Sequence, residues 1–234
     1  NPVSGGTLAL TLDSSQNASF TGAITGTSFN GIPFFSDVPN QSIYTHDVSA
    51  TDSNAANNSA YGLLALSSVT TGDNNTAMGY LAGRVITTGA GNTILGAYAG
   101  DALTTGGDNV AVGYQALSTE DAHGRNVAIG AQALQNQNAG ANAYNVAVGF
   151  QAGVAITTGF QNTIIGGLAG DALIVGVANT ALGYSALSTS VDGDYNTAIG
   201  FKALEDYEDG DGNGYNTAVG SQSQSNATTG EFNT

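Results

Sequence analysis

The stretch Asn196-Thr197-Ala198-Ile199-Gly200-Phe201-Lys202-Ala203-Leu204 decides the fold, because it is one of ten copies of a nine-residue motif. The motif reads Asn-x-Ala-x-Gly-x-x-Ala-(Leu/Gly). Seven of the nine spacings between copies are 17 residues, and the other two are 19 and 20. A fixed period this short predicts a solenoid, in which each turn, here called a coil, stacks on its neighbours. The copies begin at Asn58, Asn75, Asn92, Asn109, Asn126, Asn145, Asn162, Asn179, Asn196 and Asn216.

The motif alternates as a β-strand does. Positions 2 and 4 lie on one face of the strand, and positions 1, 3 and 5 (Asn, Ala and Gly) lie on the other. Both faces are small or apolar, so we expect one to line the coil interior and the other to be covered by a neighbour. Gly at position 5 indicates a positive φ or a close backbone approach, and Asn at position 1 can stack its amide from coil to coil. Representative structural positions are Asn75, Gly79, Asn109, Gly113, Asn179 and Gly183.

The second half of each coil has two forms. After Ala-Gly it is short and strand-like, as in 84–89, and after Ala-Leu it is polar, as in 118–125. The forms alternate in pairs, and residues 75–134 match 145–204 at 33 of 60 positions, so we infer that a four-coil block was duplicated. Glycine and β-branched residues recur too often for a helix.

Both length insertions fall at the same corner of the duplicated block, in the loops 135–144 and 205–215. A corner that tolerates extra residues faces solvent, since a buried loop cannot absorb them. We therefore expect recognition at these two loops.

The domain organisation follows from the repeat. Residues 1–35 are expected to form an extended β shaft or neck that intertwines with other chains, and 36–57 a polar connector. The solenoid covers 58–224, and 225–234 form a C-terminal tail. The predicted fold class is all-β, a parallel β-solenoid (β-roll) of about ten 17-residue coils.

Composition limits the partners. The 234-residue chain carries a net charge of -15 and only three cations, which opposes binding to nucleic acid and to anionic lipid. No apolar run is long enough to span a membrane. With no Cys, stability must come from stacking or oligomerisation. A 17-residue coil encloses little apolar volume, so we expect a closed homotrimer to cover the second apolar face.

The motif copies at 196–201 and 109–114 resemble the head repeats of trimeric autotransporter adhesins of the YadA type. The resemblance implies a left-handed parallel β-roll assembled as a homotrimer. The adhesin repeat is shorter, near 14 residues, and the longer form with Gly-Tyr-Gln-Ala-Leu (113–117) is more similar to tail fibres of bacterial viruses. Residues 10–22 also resemble the slender necks of such fibres.

This resemblance implies an attachment protein of a virion tail that binds a host-surface glycan or protein and other virion tail proteins. It implies no catalytic site. The alternative is the head of a bacterial adhesin at the cell surface. An ice- or mineral-binding solenoid is disfavoured, because Val110, Val127 and Val146 interrupt the Thr column at position 2.

One acidic stretch matches the first half of a calcium loop. Asp209, Asp211 and Asn213 supply oxygens at loop positions 1, 3 and 5. The bidentate acid expected at position 12 is missing, because that residue is Gly220. A solvated acidic loop is therefore the preferred interpretation, and we expect no cofactor.

Other site chemistry is weaker. His46 and His123 are isolated from each other, which argues against zinc. A polysaccharide depolymerase would need two carboxylates converging on one sugar. Asp192, Asp194 and Glu205 are candidates, but their spacing does not bring them together, and we expect a protein that is not an enzyme.

Aromatic residues at the polar corners suit carbohydrate binding, because their rings stack on sugar faces. Tyr144, Tyr195 and Tyr215 each precede a motif Asn, and they either serve this role or pack the corner. The receptor-contact candidates are Gln135, Asn138, Tyr144, Glu205, Tyr207 and Tyr215.

Overall fold

The computed structural model describes residues 54–207, 214–228, 230 and 232–234, and the backbone of four short strands nearer the N-terminus. The described residues form strands, turns and bends, and they contain no helix that could cross a membrane. The prediction of an all-β chain is confirmed for this part. The N-terminal strands are β1 (Ser28–Phe29), β2 (Ile32–Pro33), β3 (Phe35–Asp37) and β4 (Ser42–Tyr44). The repeat strands are β5 (Ser59–Tyr61), β6 (Thr76–Met78), β7 (Thr93–Leu95), β8 (Val110–Val112), β9 (Val127–Ile129), β10 (Val146–Val148), β11 (Thr163–Ile165), β12 (Thr180–Leu182), β13 (Thr197–Ile199) and β14 (Thr217–Val219).

The ten repeat strands form a parallel β-solenoid of about nine turns. Each strand covers motif positions 2 to 4 and pairs in parallel with the strand one coil away. The register is set by the motif, since each residue pairs with its equivalent in the next coil, as Ala181 does with Ala198. The longer loop before β10 leaves this register intact, because Val146 still pairs with Val127. The solenoid predicted from the period is confirmed.

Asn and Ala are the residues that face the interior. In every repeat strand the middle residue, position 3, is buried and its flanking residues are half-buried or exposed. The Asn at position 1 is also buried in all ten coils. Small Ala side chains suit a narrow coil, and positions 2 and 4 therefore point outward.

The two forms of the coil differ in where the large core residue stands. Coils with Leu at position 9 bury that side chain, as Leu187 does. Coils with Gly at position 9 bury an Ile or Leu at position 12 instead, as Ile156 does. The two positions compete for one space, because a Cβ on Gly153 would lie 2.8 Å from Ile156 Cδ1. This exchange is the physical reason for the alternation.

The second half of the coil is not a strand, so the strand-like interpretation of 84–89 is wrong. These residues form turns and bends. Single hydrogen bonds still join them to the next coil, as when Thr87 N–H donates to the Thr104 carbonyl at 2.9 Å. The coil must turn within 17 residues, which leaves room for only one three-residue strand.

Left-handed backbone makes the corners. Within one coil Tyr195, Lys202 and Leu204 have φ of 57°, 56° and 49°. Such values are uncommon for residues other than Gly, yet they recur at the same positions in coil after coil. Gly at position 5 is more extreme: Gly113 has φ of 134°, and a Cβ there would lie 2.5 Å from the Gly130 carbonyl carbon and oxygen. Both roles predicted for this Gly are confirmed.

The motif Asn residues form a continuous amide ladder. Each Oδ1 accepts the backbone N–H of the next motif Asn, as from Asn75 to Asn58 at 2.8 Å. In most coils the Nδ2 group also donates across its own coil, as Asn162 does to the Gly176 carbonyl at 2.8 Å. The predicted coil-to-coil stacking of amides is confirmed. The ladder continues to Asn233, which lies in the segment 225–234 that we expected to form a tail.

The insertions break this ladder at one atom. In the two coils that carry extra residues, Asn126 Nδ2 and Asn196 Nδ2 are buried without a hydrogen-bond partner. The added residues displace the carbonyl that accepts this group in the other coils. The duplicated block has therefore repeated a local defect together with its loop.

The N-terminal strands extend the sheet. β3 pairs antiparallel with β4, and β4 pairs in parallel with β5. The expected connector 36–57 thus contributes a strand to the solenoid sheet. β1 and β2 form a separate antiparallel pair, and residues 1–27 of the expected neck lie outside the described residues. The intertwined neck, the left-handed sense and the homotrimer stay predictions.

Candidate functional site

The insertion loop 135–144 is anchored from inside the coil. Gln137 is fully buried, accepts a 2.6 Å hydrogen bond from Asn145 Nδ2, and donates to the Thr157 carbonyl at 2.9 Å. Asn138 and Asn142 are exposed on either side of the loop. The loop is therefore a solvent-facing corner with a fixed base, as the insertion predicts.

This corner carries an open hollow of about 260 Å³. Tyr144 and Phe160 form aromatic walls and are 49% and 42% exposed. Arg125 lies over the Tyr144 ring, with its guanidinium carbon 5.6 Å from the ring centroid, and its Nη1 donates to the Tyr144 hydroxyl at 2.7 Å. Aromatic rings beside amides and one guanidinium suit a hydroxyl-rich or carboxylated ligand such as a sugar. The hollow is lined by Ala139, Ala141, Asn142, Tyr144, Phe160 and Gln161.

The structure brings only part of the predicted set to this hollow. Tyr144 lines it, whereas Gln135 is half-buried and donates to Gln115 Oε1 at 3.4 Å. Asn138 is exposed outside the lining. Sequence analysis missed Phe160 and Gln161, although Gln161 occupies the same place before a motif Asn as Tyr144 does, one coil later.

The second insertion loop gives a correction. Tyr207, predicted as a receptor contact, is fully buried and donates its hydroxyl hydrogen to the Gly230 carbonyl at 3.0 Å. It stands at position 12, which in a coil with Leu at position 9 faces the interior. Glu205 is half-buried and pairs with Lys202 Nζ at 2.7 Å, a hydrogen bond that raises the pKa of the lysine. The calcium-loop residues Asp209, Asp211 and Asn213 lie outside the described residues.

Tyr215 belongs to a stack of aromatic rings. Its centroid lies 4.8 Å from that of Tyr195 and 5.0 Å from that of Phe232, with interplanar angles of 6° and 2°. Rings stacked this closely cover each other's faces and present edges to solvent, so a sugar cannot stack on Tyr215. For Tyr195 and Tyr215 the structure favours corner packing, and only Tyr144 stands beside a hollow.

The proposed depolymerase carboxylates have separate partners. Asp194 Oδ1 accepts the Val177 N–H at 2.6 Å, and Glu205 pairs with Lys202. Burial raises the pKa of two other acids, Asp101 and Asp171, which occupy equivalent positions in the two blocks.

A second surface feature is an apolar stripe that runs along the column. Position 4 is apolar in all ten coils, and position 6 is aromatic in several of them. Tyr114, Leu182 and Phe201 are 51%, 44% and 47% exposed. A contiguous exposed apolar patch is typical of an interaction surface. The position-4 residues are Tyr61, Met78, Leu95, Val112, Ile129, Val148, Ile165, Leu182, Ile199 and Val219.

Comparison with protein-family models, curated proteins and solved structures finds no match to this chain.

Proposed function

We propose that this chain is a structural and receptor-binding segment of a viral tail fibre that attaches the particle to the host cell surface. The observation that carries the proposal is the division of labour within the coil. The motif builds a repetitive column, whereas one corner of the duplicated block has gained residues and, at 135–144, an aromatic-walled hollow. Such a division suits an attachment protein, in which the scaffold repeats and the binding loop varies.

The fibre is proposed to be a homotrimer. The apolar stripe of positions 4 and 6 runs the length of the solenoid, and a closed cyclic assembly would bury it on every chain at once. The left-handed sense belongs to the same proposal and comes from the resemblance of the repeats.

Attachment is proposed to work by avidity. A hollow of about 260 Å³ is small for a ligand site, so each contact is expected to be weak. Three hollows on one fibre, and several fibres on one particle, multiply the effective affinity. The ligand class we propose is a host-surface glycan, held between Tyr144 and Phe160 with Arg125 nearby.

The experiment is a binding assay with fluorescently labelled full-length chain on a panel of whole bacterial cells and their extracted surface polysaccharides. The Tyr144→Ala/Phe160→Ala variant removes both walls of the hollow and is expected to lose at least about tenfold in binding. Tyr195→Ala removes an exposed ring of the same kind away from the hollow and is the matched control. Equal binding by the chain and the hollow variant would contradict the proposed site, and no binding to any cell would contradict attachment.

A further inference from the structure

The corner of the fourth coil brings together three residues that ligate metals. Glu120, Asp121 and His123 place a carboxylate oxygen, a second carboxylate oxygen and an imidazole nitrogen within 4.8 Å of one another. Glu120 Oε1 lies 3.5 Å from His123 Nδ1. The sequence argued against zinc because its two histidines are far apart, but the fold supplies carboxylates as the other ligands.

Two polar atoms of this corner are buried without a hydrogen-bond partner. They are Glu120 Oε2 and His123 Nδ1. The Glu120 side chain is 0% exposed, so an unpaired carboxylate oxygen there is costly. A proton shared between Nδ1 and Oε1 would still leave Oε2 unpaired, whereas a cation satisfies the imidazole and the carboxylate together.

The duplicated block shows that the fold does not require these ligands. In the equivalent corner Ser190 and Gly193 replace Glu120 and His123. Gly193 N–H donates to Ser190 Oγ at 3.3 Å, as His123 N–H donates to Glu120 Oε1 at 3.1 Å. The carbonyls of His123 and Gly193 both accept a motif Asn amide. The turn is the same, so the ligand set is an addition specific to one coil.

We propose that Glu120, Asp121 and His123 form a binding site for a divalent transition-metal cation of the Zn²⁺ type. A tetrahedral ion with ligand bonds of about 2.1 Å separates its ligands by roughly 3.4 Å, close to the 3.5 Å between Glu120 and His123. A mixed oxygen and imidazole set suits Zn²⁺ better than Ca²⁺ or Mg²⁺, which prefer oxygen alone. Asp121 is exposed and His123 partly so, which leaves an entry from solvent and a fourth position open.

The test is calorimetric titration of the full chain with Zn²⁺, with Ca²⁺ and Mg²⁺ as comparison ions. We expect one Zn²⁺ per chain, bound at least about 100-fold more tightly than either comparison ion. The variant Glu120→Ser/Asp121→Val/His123→Gly installs the corner of the second block, which the fold already tolerates, and is expected to lose stoichiometric binding. Asp101→Asn/Asp108→Asn removes two carboxylates elsewhere and controls for the acidic surface.

Cobalt gives a readout of inner-sphere coordination. Co²⁺ bound to the unmodified chain is expected to show the visible absorption of a four-coordinate site, and Zn²⁺ should displace it. Absence of stoichiometric Zn²⁺ binding to the unmodified chain would overturn the proposal whatever the variants do. Equal binding by the Glu120→Ser/Asp121→Val/His123→Gly variant would overturn the assignment to this corner.

Discussion

At the scale of single residues, the column is held by close glycine contacts and buried amides. The position-5 glycines stack backbone against backbone, with φ values near that of Gly113 at 134°. The Asn ladder runs beside them and satisfies backbone N–H groups that the short strands leave unpaired. Both features place polar backbone in the interior, where an unmade hydrogen bond costs about 1 to 3 kcal/mol.

Gly113→Ala is expected to destabilise the chain by at least about 3 kcal/mol. The new Cβ would meet the Gly130 carbonyl at 2.5 Å and would also be held at an unfavourable φ. Gly140→Ala is the matched control, because Gly140 has φ of 67° with nothing within 4 Å, and it should cost about 1 kcal/mol. Thermal unfolding followed by circular dichroism measures both, and equal losses would contradict the close-packed column.

Asn162→Ala is expected to cost about 3 to 5 kcal/mol. The change leaves the buried Asn179 N–H and the Gly176 carbonyl without their partners at 2.9 and 2.8 Å. Asn233→Ala, at the last described step of the ladder, removes only a part-buried donor and should cost less than about 1 kcal/mol. Chemical denaturation compares the two variants; a small loss for Asn162→Ala would show that the ladder contributes little.

At the scale of the element, the coil is defined by which position holds its large core residue. Leu187 with Ser190 and Gly153 with Ile156 are two solutions to the same space. This explains why position 12 can carry polar residues in the coils with Leu at position 9. It also explains why chemistry-bearing residues, including Glu120, collect there.

The exchange predicts a coupled pair of substitutions. Gly153→Leu alone should cost about 3 kcal/mol, because the added side chain meets Ile156. Adding Ile156→Ser recreates the arrangement of Leu187 and Ser190 and should recover about 1 to 3 kcal/mol of that loss. A double-mutant cycle of unfolding free energies measures the coupling. Additive effects would contradict the shared space.

The sequence predicted the elements that depend on the period and missed those that depend on depth. Strand register, the amide ladder and the corner glycine all follow from the 17-residue spacing. The burial of Tyr207 does not, because an aromatic residue in a polar loop favours an exposed interpretation unless position 12 is aligned across coils. Phe160 was missed because the hollow joins two coils, and such a contact has no local signal.

At the scale of the whole molecule, a narrow column with a net charge of -15 exposes an apolar stripe along its length. The charge keeps the surface soluble, and the stripe needs a cover. On our account the cover is two further copies of the chain.

Leu182→Glu is expected to disrupt this assembly. Leu182 is 44% exposed on one chain, so the charge can be accommodated there, but it would be buried without a partner between chains. Asn138→Glu adds the same charge in the insertion loop and should leave the mass unchanged. Size-exclusion chromatography with light scattering compares them, and an unchanged mass for Leu182→Glu would place the interface elsewhere.

The mass of the unmodified chain in solution tests the central claim most directly. Sedimentation equilibrium at micromolar concentration is expected to give three times the 23.3 kDa chain mass, with no monomer present. A species of 23.3 kDa would contradict the trimeric fibre and leave the apolar stripe without the cover proposed for it.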